Sequence, residues 1–159
     1  MAKTKQKVRN KGKGRQQYAA LPVRFTGEGK MQVLLLTSRG TRRWVIPKGW
    51  PMRRFTPEAA AAQEAYEEAG LQGTIEDSGP IGRYHYDKHL ASRVARIRVD
   101  VFLMRVSQQL ATWPEQAERE TRWCDPEEAA LLVVEQDLAA LLRGLRDGAA
   151  SATVGDEQA

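Results

Sequence analysis

Three glutamates, Glu64, Glu67 and Glu68, fall within the segment EAAAAQEAYEEA. On a helix, positions i, i+3 and i+4 share one face, so the three carboxylates crowd a single patch. Repulsion at that density is unfavourable unless a cation offsets it. An oxygen-only ligand set of this kind suits Mg²⁺, Mn²⁺ or Ca²⁺ and does not suit zinc. No other grouping competes with it. His85 and His89 have no second His or Cys pair at zinc spacing, and Cys124, the single cysteine, reads as a structural thiol of a reducing compartment.

The segment around the glutamates predicts the helix that must carry them. Thr56 is a suitable N-cap, Pro57 fits the first helical position, and Gly70 closes the run. Before it, Tyr18–Phe25, Met31–Ser38 and Arg43–Ile46 are apolar or alternating stretches separated by the turn-like TGEGK and SRGT. After it, Leu71–Glu76, Gly82–Tyr86, Arg93–Val106 and Thr121–Cys124 read as further strands. Asp125 and Pro126 open a second helical region, continued by Glu135–Arg146 with Leu138, Leu141, Leu142 and Leu145 at helical spacing, a stripe that predicts core packing. The outcome is a mixed α/β domain with a largely antiparallel or mixed sheet.

Of 159 residues, 25 are basic and 20 acidic, giving a formal net charge of +5. The excess is local. Residues 1–16 carry seven Lys or Arg and no acid, whereas the body from Gln17 to Asp147 is neutral. We read 1–16 as a disordered basic arm able to make weak contact with nucleic acid, 17–147 as one domain, and 148–159 as a flexible tail. The longest apolar runs, Val33–Leu36 and Ala129–Val134, fall far short of the roughly 20 residues that span a bilayer. With no apolar signal stretch at the start, the expectation is a cytoplasmic protein without membrane contact.

The run WVIPKGWPMRRFTPEAAAAQEAYEEAGL resembles the Nudix box, G-x5-E-x7-R-E-U-x-E-E-x-G-U. Aligned without a gap, Gly49 opens the box, Glu64, Glu67 and Glu68 take its metal-binding glutamates, Gly70 its closing glycine and Leu71 its last aliphatic position. Two positions depart: Phe55 replaces the first box glutamate, and Gln63 replaces the arginine that in the family orients the neighbouring metal-binding glutamate. The segments TSRGTRRWVIPKG and WPEQAERETRWCDPEEA are similar to the diphosphoinositol polyphosphate phosphohydrolase branch.

The resemblance implies an α+β Nudix fold, an α/β/α sandwich with a mixed sheet, a catalytic helix after the box loop and a C-terminal helix. It implies Mg²⁺, replaceable by Mn²⁺, held at Gly49, Glu64, Glu67 and Glu68, and hydrolysis of a phosphoanhydride by activated water. The general base would be Glu64 or Glu67 from the box, or Glu118 or Glu120 from a loop. Arg42, Arg43, Lys48, Arg83, Arg96 and Arg98 would grip a polyphosphorylated small molecule, with Arg96 and Arg98 sharing one strand face. Trp50, Tyr84 and Tyr86 could stack on a base. The density of arginine favours diphosphoinositol polyphosphates or dinucleoside polyphosphates. The alternatives are a weakened module that binds a phosphorylated ligand, motivated by Phe55 and Gln63, and an RNA 5′ pyrophosphohydrolase.

Overall fold

Alternation along the strands assigns side chains to two faces of one sheet. In β1 (Gln16–Phe25), Ala19, Leu21 and Val23 point to one face and Ala20 to the other; in β2 (Met31–Thr37), Val33 and Leu35 oppose Leu34 and Leu36. Each set is buried under its own helical layer, as period-2 patterning with both faces covered requires. The computed structural model of the chain describes residues 14–145. The expected arm and tail therefore lie outside the described residues, apart from the stretch from Gly14, with Gln16 already the first residue of β1.

Six further strands complete the sheet: β3 (Trp44–Val45), β4 (Lys48–Gly49), β5 (Leu71–Ile75), β6 (Gly82–His89), β7 (Val94–Gln109) and β8 (Thr121–Cys124). The main path runs β3-β2-β1-β7-β5, with β4 on β1, β6 on β7 and β8 on β2. Among the described residues only β1 and β7 pair in parallel, and every other pairing is antiparallel. The sheet is mixed, as expected. Among the described residues no helix is long and apolar enough to cross a membrane.

Helix α1 (Pro57–Ala69) covers one face. Its Thr56 cap accepts a hydrogen bond from Ala59 N, and Ala61, Ala65 and Ala69 pack on Leu34, Leu36, Phe102 and Met104. Small residues let the helix lie close to the sheet. The opposite face is covered by α2 (Pro126–Leu132) and by α3, helical over 136–145. Leu138 and Leu142 enter that core, with Leu141 and Leu145 packed at its margin.

Three details differ from the sequence reading. The second helical region breaks after Leu132, with Val133 extended and buried, before α3 resumes. The box loop contributes its own two-residue strand, β4, too short to carry a pattern. Strand β6 runs past the expected Tyr86 to His89, so His89 as well as His85 lies on a strand paired with β7.

The C-terminus of α1 is the tightest junction. Gly70 adopts φ 69°, and a methyl group there would enter the ring of Trp113. Gly70→Ala combines left-handed backbone strain with overpacking, and is expected to lower stability by about 2 kcal/mol or more in urea unfolding. The loss should shrink when Trp113→Ala is added, and additive effects would contradict the contact.

Candidate active site

Glu64, Glu67 and Glu68 are all buried on α1, an unusual position for three carboxylates. β4 explains how they are enclosed. Its pairing of Gly49 with Tyr18 of β1 presses the glycine against Glu64, where a β-carbon would overlap the carboxylate. Any other residue at position 49 would displace that side chain. Gly49 and Glu64, fifteen positions apart in the box frame, are thus one structural unit.

Burial and like charge act on Glu68. Its carboxyl is pushed up to about 8, chiefly by loss of solvent, then by the neighbouring Glu64 charge, while Arg119 and Lys48 pull it down. A hydrogen bond shared with Glu64 adds to the upward shift. Glu67 is engaged differently: Gln63 Nε2 donates to its Oε2 at 2.7 Å. No three His, Cys, Asp or Glu side chains among the described residues form a ready-made metal cage. The donor set nevertheless fits a hard divalent cation. A desolvated Glu64–Glu68 pair of oxygen donors, with Gly49 bringing no side chain beside it, is the chemistry such an ion takes.

Two cations approach the carboxylates. Burial lowers the Lys48 ammonium, with Glu68 and Glu135 opposing that shift, and its Nζ lies 4.9 Å from the centroid of the Tyr86 ring. Arg119 comes from the loop after β7. Its Nε binds Glu115 Oε1 at 2.9 Å, its Nη1 donates to Thr37 O at 3.2 Å, and its Nη2 lies 3.7 Å from Glu68 Oε2. The loop is docked on the last turn of α1 through Glu115 N to Glu67 O at 2.9 Å and Trp113 Nε1 to Glu68 O at 3.2 Å. Glu115 and Arg119 escaped the sequence reading. Their readable signal was an acid and a base four residues apart in WPEQAERE, beside the more obvious Glu118 and Glu120.

Those two loop acids face outward. Glu118 pairs with Arg39 at 2.8 Å and Glu120 with Arg42 at 3.0 Å, all four side chains largely exposed. Arg42 thus ties two loops together across the surface. Arg43 lies 3.8 Å from the half-buried Glu135 of the α2–α3 connection, near Tyr84. Tyr84 is buried, and its hydroxyl has no hydrogen-bond partner among the described residues; Tyr86 donates to Gln17 Oε1 at 2.7 Å.

The structure divides the expected basic set between two faces of the sheet. Arg96 and Arg98 do share a face, and the register adds Arg83, opposite Asp100. Aspartates stand among them: Asp100 is 3.4 Å from Arg83 and 3.8 Å from Arg98, and Asp87 is 3.8 Å from Arg96. Tyr84 and Tyr86 occupy the other face of β6, together with Lys48. A single phosphate cluster drawn from both groups is not what the strand geometry provides.

The comparisons with known proteins agree with this architecture. The family model described as NUDIX domain matches residues 15–145. Nudix hydrolase 13, mitochondrial, of Arabidopsis thaliana is 35% identical over 108 residues, covering 64% of this chain and 53% of that protein. Mouse diphosphoinositol polyphosphate phosphohydrolase 3-alpha is 30% identical over 108 residues, covering 66% of this chain and 62% of its own length. The matched stretch therefore spans little more than half of these curated relatives. Among solved structures, a C. elegans Ap4A hydrolase binary complex superposes with a TM-score of 0.64 at 21% identity, covering 86% of this chain and 98% of that one, a likeness of fold.

The buried acid pair carries a stability signature. Because Glu68 titrates higher folded than its usual 4.5, its contribution is complete below about 4.5 and is lost as pH rises towards 8. Metal-free protein is therefore expected to melt several degrees lower at pH 8 than at pH 5. Glu68→Gln should flatten that decline and raise the melting temperature at pH 8; parallel curves for both proteins would contradict it. Gly49→Ala, by displacing Glu64, should leave a folded protein with weakened Mn²⁺ binding in calorimetry.

Proposed function

The chain belongs to the Nudix family, and from that membership we propose that it is a metal-dependent pyrophosphohydrolase of highly phosphorylated small molecules. The observation that carries this reading is the buried Glu64–Glu68 pair with Gly49 against it, an arrangement costly to folding unless a cation is part of the working state. Glu64 and Glu68 would hold the ion, with Glu67 joining after release from Gln63. Once bound, a divalent ion neutralises diphosphate oxygens and lowers the pKa of attacking water.

The protein's own groups supply orientation. Lys48, beside Glu68 and over Tyr86, is the cation best placed to meet a phosphate next to the carboxylates. Arg43, kept in place by Glu135, is the second. Tyr84 is packed into the core on the same side, so the half-buried Tyr86 is the aromatic surface on which a ring or base attached to the phosphates could rest. Arg83, Arg96 and Arg98 would serve only a long polyanion reaching round the sheet. Similarity to the mouse diphosphoinositol polyphosphate phosphohydrolase supports diphosphoinositol polyphosphates as the first substrates to try, with dinucleoside polyphosphates beside them.

A panel of diphosphoinositol polyphosphates, dinucleoside polyphosphates, nucleoside diphosphate derivatives and 5′-triphosphorylated RNA, each with Mg²⁺, tests the proposal. Expected is phosphoanhydride cleavage of the small molecules, abolished by chelator and lowered by Glu64→Gln beyond the roughly 10–100-fold cost of losing a group that merely orients a ligand. Tight binding without turnover at any divalent concentration would make the chain a binding module. Cleavage confined to RNA ends would select the RNA alternative.

A further inference from the structure

The box position that the family fills with arginine is Gln63, whose neutral amide reaches Glu67 and brings no charge to the buried acids. A cation is nevertheless there. Arg119 is only 9% exposed and is clamped among Glu115, Thr37 and Glu68. Burying a guanidinium is expensive unless its donors are met, and here the planar fork hydrogen-bonds Glu115 and Thr37 and faces Glu68 at ion-pair distance.

We propose that Arg119 is the positioning residue for Glu68, supplying from the β7–β8 loop the buried cation that the box lacks at Gln63. The inference rests on reading the α1 carboxylates as a metal site. Its geometry argues for orientation and not capture. Glu115, at 2.9 Å, takes the short contact, whereas Glu68 Oε2, at 3.7 Å, is beyond hydrogen-bond length and is held by charge alone. The backbone beneath Arg119 is fixed too. Thr37 N donates to Glu120 O at 3.0 Å, Glu120 N donates to Thr37 Oγ1 at 2.9 Å, and on the other side Glu115 N reaches Glu67 O. Arg119 therefore projects from a loop tied at both ends, to the end of β2 and to α1. A residue that only stabilised the loop would need no reach towards Glu68, since Glu115 and Thr37 already satisfy two arms of its fork.

The experiment separates charge from position. Glu115→Gln with Arg119→Gln removes one negative and one positive charge, so the net charge of the site is unchanged. Mn²⁺ affinity by calorimetry is expected to fall about 10–100-fold, and kcat with it, while KM changes little. Adding Gln63→Arg to this double variant should recover part of the Mn²⁺ affinity, although it adds positive charge, because it returns an orienting guanidinium to the acid cluster. A purely structural role for Arg119 predicts no recovery, since residue 63 does not touch the loop's ties to Thr37. If the double variant fails to fold, Arg119→Lys replaces it: one ammonium cannot span these three partners, and a several-fold affinity loss in folded protein is expected. Wild-type affinity in the folded variant tested, or no recovery with Gln63→Arg, overturns the inference alone. A wild-type protein that binds no Mn²⁺ overturns the metal-site reading and the inference with it.

Discussion

Everything about this domain's site follows from placing negative charge where water cannot reach it. Glu64 is fully buried, and Glu67 and Glu68 nearly so, on the helix face that apolar residues would normally occupy. Ala61, Ala65 and Ala69 of the same helix allow it to lie close to the sheet beside the acids. A core of this kind stores instability. It is tolerable because the surrounding sheet, with leucines and valines on both faces, is well packed, and because Lys48 and Arg119 partly compensate.

Much of this was legible in the residues themselves. Thr56, Pro57 and Gly70 bound α1 by local chemistry, since each satisfies a helix-end requirement within a few positions, and the observed helix begins and ends with them. Thr121–Cys124 and the alternation in β1, β2 and β7 were equally local. What was not legible is long-range. Nothing near Arg119 announces that it crosses to Glu68, because the meeting depends on Trp113 packing on Gly70 and on Thr37 gripping Glu120. The break between α2 and α3 also escaped pattern reading, since the apolar spacing runs on through it while Val133 turns inward as extended chain.

The arginine-rich strands illustrate a limit of alternation. It placed Arg96 and Arg98 on one face correctly, but it could not say which face. Cross-strand register supplies that, setting Arg83 opposite Asp100 and Asp87 opposite Arg96. The basic residues there are balanced by acids on the same surface, whereas Lys48, on a two-residue strand with no pattern at all, lies between Glu68 and the tyrosines. Proximity in three dimensions outranked density along the chain.

The loop that carries Arg119 is held by two kinds of ionic contact. Arg39–Glu118 and Arg42–Glu120 are open to solvent, whereas Arg119 with Glu115 is enclosed. Dissolved salt screens the first kind strongly and the second weakly. Raising ionic strength therefore loosens the outer rim of this loop, and the turn between β2 and β3 to which it is tied, while the inner contact beside the carboxylates holds. One short loop thus has an edge that responds to its medium and a root that does not.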